Sequence, residues 1–122
     1  MVTIDDVRAL ASGLPRTTEA LVRGRVKFRV GRIVYLAFSH DETVMGFAFP
    51  KDWRVALVES EPEKFMYPRP SDLRYTWARV RLAAIDEAEM RELVLEAWSM
   101  VVPKRLAATY ADAPAGTLTP WP

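Results

Sequence analysis

Residues 22–30 read Val22-Arg23-Gly24-Arg25-Val26-Lys27-Phe28-Arg29-Val30, and the alternation in this stretch decides the fold. Successive side chains of an extended chain point to opposite faces, so Arg23, Arg25, Lys27 and Arg29 are expected on one face. Val22, Val26, Phe28 and Val30 fall on the other, with Gly24 as a gap. One face of such a strand can be buried while the other carries four cations. From position 16 to position 32 there are six basic residues (Arg16, Arg23, Arg25, Lys27, Arg29, Arg32) against one acid, Glu19. That density makes a candidate anion-binding surface, with nucleic acid the natural partner.

The stretch extends into a meander. Residues 17–22 read as the start of a strand that 26–30 continues. Gly31 suits a tight turn, and residues 33–39 are rich in branched and aromatic side chains. His40-Asp41-Glu42 reads as the next turn and 43–49 as a third strand. Upstream, Thr3 and Asp6 form a capping pair ahead of Ile4, Val7, Leu10, Ala11 and Leu14 at helical spacing, with Gly13 and Pro15 as the stop. Downstream, Pro50 opens a helix with Trp53, Ala56 and Leu57 as its apolar stripe, ending near Ser60.

Residues 61–72 carry three prolines and read as a loop or a short edge strand. Residues 74–82 alternate again, with Tyr75, Trp77, Arg79 and Arg81 on one face and Thr76, Ala78, Val80 and Leu82 on the other. Asp86 and Glu89 cap a helix marked by Met90, Leu93, Val94, Ala97, Trp98 and Val101. Pro103 restarts a final helical segment toward Tyr110. These elements predict an α+β fold: a two-layer α/β sandwich, an antiparallel sheet with helices on one face. A single domain is expected over 1–110, followed by an irregular, proline-rich tail over 111–122 with a lone Trp121.

The chain has 122 residues, half of them hydrophobic and 27% charged, which suffices for one buried core. It has no cysteine, which excludes disulfides, thiolate metal sites and a cysteine nucleophile, and makes the cytoplasm the expected location. The first residues lack the pattern of a signal peptide, and no apolar run approaches the roughly 20 residues of a membrane span. Net charge is only +1, so any nucleic-acid affinity must come from distribution. Residues 41–63 hold six acids and two bases, so a basic first third precedes an acidic middle.

Catalytic signatures are missing. His40 is the one histidine, placed in a turn, and no second histidine or cysteine exists to complete a metal site. No serine lies in a nucleophile elbow, and Gly24 and Gly31 are isolated hairpin glycines rather than a phosphate loop. Glu59 and Glu63 read as a solvated helix end. The expectation is a binding protein without enzymatic activity, cofactor or metal.

Leu14-Pro15 ahead of a strand, then Lys27-Phe-Arg-Val-Gly-Arg-Ile-Val-Tyr-Leu-Ala37, resembles the MmcQ/YjbR family. Trp77-Ala-Arg-Val-Arg-Leu82 resembles its second signature. Ala97-Trp98 followed by Pro103-Lys-Arg-Leu106 resembles its closing segment. The resemblance covers about residues 3 to 110. It implies a small two-layer domain of order α-β(3)-α-β(2)-α, a double-wing DNA-binding type of fold akin to secretion-chaperone domains. It implies no catalytic residues. Where many relatives carry Ser-Tyr in the last helix, this chain has Ala97-Trp98.

The expected function is sequence-tolerant DNA binding. Its surface would comprise Arg23, Arg25, Lys27, Arg29 and Arg32, extended by Arg79 and Arg81, with Trp77 and Tyr75 as stacking platforms. The competing expectation for Trp77 and Tyr75 is burial against a helix, which would also turn Arg79 and Arg81 inward, where they would need acidic partners. Alternatively the chain is a protein-interaction or chaperone-like module, monomeric or homodimeric. A third reading is a small-molecule binder with Trp53, Phe65, Tyr67 and Trp98 lining an apolar wall.

Overall fold

A computed structural model describes residues 2–111 of the chain. Arg23 and Gly24 both take positive φ, 53° and 78°, the signature of a tight two-residue hairpin turn. Residues 22–30 are therefore not one strand. The turn separates β1 (Thr17–Val22) from β2 (Arg25–Val30), which pair antiparallel with Val22 opposite Arg25. The alternation persists within β2, but Arg23 leaves the shared face because its backbone reverses direction there.

A second two-residue turn, with Gly31 at φ 59°, leads to β3 (Ile33–Phe38). The turn into β4 (Val44–Ala48) is held by Asp41, whose Oδ1 accepts from Ser39 Oγ at 2.7 Å, Thr43 Oγ1 at 2.8 Å and Thr43 N at 3.1 Å. Those donors hold the Asp41 carboxyl below the usual carboxylate range. Four strands thus precede the next helix where three were expected, the extra one arising from the Arg23-Gly24 turn.

The remaining elements are α1 (Ile4–Ala11), α2 (Lys51–Ser60), the short β5 (Phe65–Met66), β6 (Trp77–Arg81), α3 (Glu87–Ser99) and α4 (Lys104–Ala111). All strand pairs are antiparallel, in the spatial order β1-β2-β3-β4-β6-β5. The fold is α+β, a two-layer sandwich in which α3 packs on β3 and β4 and α1 packs on α3. The proline-rich tail expected over 111–122 lies outside the described residues, apart from Ala111, which ends α4. No helix among the described residues is long and apolar enough to cross a membrane.

The core lies between helices and sheet. Phe28, Leu36, Phe47 and Ala78 are directly opposed across four strands and all are 0% exposed. Between Arg29–Val34 and Phe28–Leu36 the register shifts, so β3 carries Tyr35 as an extra residue and buries both Tyr35 and Leu36. Burial pushes the Tyr35 hydroxyl up to about 12 although it hydrogen-bonds Thr17 Oγ1 at 2.8 Å. The capping pairs form as expected: Thr3 N donates to Asp6 Oδ2 at 2.9 Å, and Glu89 N to Asp86 Oδ1 at 2.8 Å.

Two aromatic expectations are revised. Trp98 is fully buried and its indole N–H donates to the Pro15 carbonyl at 3.0 Å, so Ala97-Trp98 belongs to the core. Phe65 is also core, whereas Trp53 and Tyr67 are each 37% exposed, so these four do not line one wall. In α2 the buried side chains are Arg54 and Val58 rather than Trp53 and Ala56. Arg54 fixes that rotation: its Nη1 donates to the carbonyls of Tyr75 and Trp77, each at 3.0 Å, and its Nη2 to that of Leu73 at 2.9 Å.

Candidate nucleic-acid interface

Directly opposed residues of an antiparallel pair share a face, so the register places Lys27, Ala37, Gly46 and Arg79 in one row across β2, β3, β4 and β6. One step of two along each strand adds Arg25 and Arg29 on β2, Val44 and Ala48 on β4, and Trp77 and Arg81 on β6. This is the face opposite the Phe28–Leu36–Phe47–Ala78 row, away from α1 and α3. Its centre is a floor of small side chains, Ala37 and Gly46 flanked by Val44 and Ala48. Its walls are β2, with Arg25, Lys27 and Arg29, and β6, with Arg79 and Arg81, while the Trp77 indole reaches from β6 over Gly46 onto the floor. The walls are three strand spacings apart, about 14 Å.

Trp77 is half-buried on this face and packs against the margin of the core. The glycine below makes room for it: a Cβ at position 46 would stand 2.6 Å from Trp77 Nε1 and 2.8 Å from Cε2. Beside the indole is a groove of about 210 Å³ lined by Arg25, His40, Gly46, Arg69, Trp77 and Arg79, among others. Asp72 stands at its rim, 3.4 Å from Arg69 Nη2. His40 is exposed and its Nε2–H donates to the Arg23 carbonyl at 2.9 Å, which joins the β1–β2 turn to the groove.

The wall cations have no acid partner among the described residues, in contrast to Arg8, Lys64 and Arg69. Arg8 meets Asp5 at 2.8 Å and Glu19 at 3.0 Å, and Lys64 meets Glu61 at 2.9 Å and Glu89 at 3.0 Å. Among the described residues no carboxylate pairs with Arg25, Lys27, Arg29, Arg79 or Arg81. Arg79 Nε donates to the Tyr67 carbonyl at 3.0 Å, and Arg81 Nη1 to that of Glu63 at 3.1 Å. Both remain cationic guanidiniums with further donors. Burial pulls Arg79 below its ordinary pKa, and the neighbouring cations Arg69 and Arg81 add to this against Asp72. A bound anion would relieve that crowding.

Of the residues singled out from the sequence, Arg25, Lys27, Arg29, Trp77, Arg79 and Arg81 share the open face. Arg23 lies in the turn beside His40, and Arg32 lies exposed in the Gly31-Arg32 turn at the other end of β2. Tyr75 precedes β6 and instead stacks under Arg74, whose Cζ lies 4.9 Å from its ring centroid. Sequence reasoning missed Gly46, Arg69, Asp72 and the part played by His40. A glycine inside a strand pattern is the signal that could have found Gly46, because it marks a close approach.

A family model described as YjbR matches residues 12–100. Comparison with curated proteins finds no match. Among solved structures, the crystal structure of Deinococcus radiodurans protein DR2400, whose domain is described as DUF419, is similar with a TM-score of 0.73 at 19% sequence identity. That likeness covers 86% of this chain and 82% of the other, and at this identity it speaks to the fold.

Proposed function

This chain belongs to the YjbR family, and from that premise we propose that it is a non-enzymatic, cytoplasmic DNA-binding protein that uses the open face of its sheet. The observation that carries the reading is the trough itself. Cations from two strands far apart in sequence, β2 and β6, flank a floor of small residues, and among the described residues none of them is paired with an acid. Arginine dominates these walls, and its planar fork suits bidentate phosphate contact. Phosphate contact of this kind is sequence-tolerant and depends steeply on salt.

The test is fluorescence anisotropy of labelled duplex and single-stranded DNA at two salt concentrations. Saturable binding that weakens with salt, and is lost in the Arg25→Glu/Lys27→Glu double variant while the thermal transition persists, supports the reading. No binding at low salt removes it. A protein-interaction module, monomeric or homodimeric, is the second reading. It is favoured by Leu21, which is 72% exposed on β1, the strand at one edge of the sheet. A salt-tolerant dimer weakened by Leu21→Lys would distinguish it.

A further inference from the structure

The trough contains more than phosphate-binding charge. Trp77 is set into its floor, with the groove opening beside it between Arg25 on one wall and Arg79 on the other. Pure backbone binding needs no aromatic group there, and the indole, although it packs against the margin of the core, stays partly exposed to the groove. Gly46 is the matching half of this arrangement, since any side chain at that position would displace the ring.

Taking the nucleic-acid reading of this face as given, we propose that Trp77 over Gly46 is a base-stacking site, and that the chain binds single-stranded nucleic acid in preference to duplex. A duplex keeps its base faces inside its own stack and shows a protein only phosphates and base edges. An aromatic side chain can reach those faces in a duplex only as a protruding wedge. Trp77 is half-buried on the floor, behind walls of longer arginine and lysine side chains, and cannot act as one. An unpaired base can enter the groove and lie against the indole while its flanking phosphates meet Arg25 and Lys27 on one side and Arg79 on the other. Sequence tolerance follows, because every base has an aromatic face.

The experiment measures anisotropy at low salt with three probes of one length: an oligothymidylate, the same strand with abasic sites in place of every base, and a duplex. On the unmodified protein the oligothymidylate is expected to bind about ten-fold more tightly than the abasic strand. Trp77→Leu should bring the two strands together and leave duplex affinity unchanged. Trp77→Phe, which keeps a smaller ring over Gly46, should retain part of the preference. Should Trp77→Leu not fold, Trp77→Phe decides, because a smaller ring must weaken base preference several-fold at constant abasic affinity. Equal affinity for oligothymidylate and abasic strand overturns the proposal, as does a base preference that survives loss of the indole. Binding of none of the three probes would instead remove the nucleic-acid reading beneath it.

Discussion

Trp77 occupies the space above Gly46: a Cβ added at position 46 would stand 2.6 Å from the indole nitrogen. Gly46 does not have a positive φ, so its backbone accepts alanine. In a strand interior, glycine to alanine ordinarily gains about 0.5–1 kcal/mol. Here the clash reverses the sign, and Gly46→Ala is expected to lose about 1–2 kcal/mol by urea unfolding. In a Trp77→Ala background the same substitution should become neutral or stabilising. Equal losses in both backgrounds would show that the indole is not the reason for the glycine.

Arg54 supports this site at the same end of β6, through the carbonyl of Trp77 and the segment that leads into it. The residue is 9% exposed, and its guanidinium donates to the carbonyls of Leu73, Tyr75 and Trp77 at 2.9–3.0 Å. Arg54→Met leaves three acceptors without their donor and should cost about 2–4 kcal/mol. Arg54→Lys should recover little of it, because one ammonium cannot reproduce the planar fork. Denaturant midpoints of the two variants check this, and a full rescue by lysine would contradict it.

Glu96 on α3 gives the protein a pH dependence. Partial burial, with Glu92 one turn away, pushes its carboxyl from 4.5 up to about 7. The folded state therefore holds a proton that the unfolded state has released between those values. Stability from this group is present below about 4.5 and is lost as pH rises through about 7. Glu96→Gln should leave stability at pH 4.5 unchanged and raise it at pH 8 by about 1–2 kcal/mol, discounted for partial exposure. Thermal melts of both proteins across this range read the difference directly.

The hairpin turn shows how legibility divides. Alternation in 25–30 and 77–81 is a local property of side-chain order, so the two faces of β2 and β6 could be read from the chain. Arg23-Gly24 looked continuous with it because arginine rarely takes positive φ, and only the paired geometry at 53° and 78° reveals the reversal. The same limit applies to α2: nothing local to residues 51–60 predicts that Arg54 faces inward, since its partners are carbonyls about twenty positions away. The trough required strand order. That β6 lies next to β4, bringing Arg79 into register with Gly46, Ala37 and Lys27, is a long-range pairing that no window of sequence contains.

Strand order also predicts which cations an anion feels. Each phosphate neutralised contributes a log–log salt slope of about −0.9 on duplex DNA and about −0.7 on single strands. Lys27 sits in the row with Ala37, Gly46 and Arg79 and meets no acid among the described residues, so Lys27→Gln should flatten the single-strand slope by about 0.7. Arg8 is the contrast: it is held by Asp5 at 2.8 Å and Glu19 at 3.0 Å on the helical layer. Its charge is already balanced, and Arg8→Gln should leave the slope unchanged although net charge falls equally in both variants. If Arg8→Gln flattened the slope as much as Lys27→Gln, the DNA would be responding to total charge, and the trough would lose its claim as the binding surface.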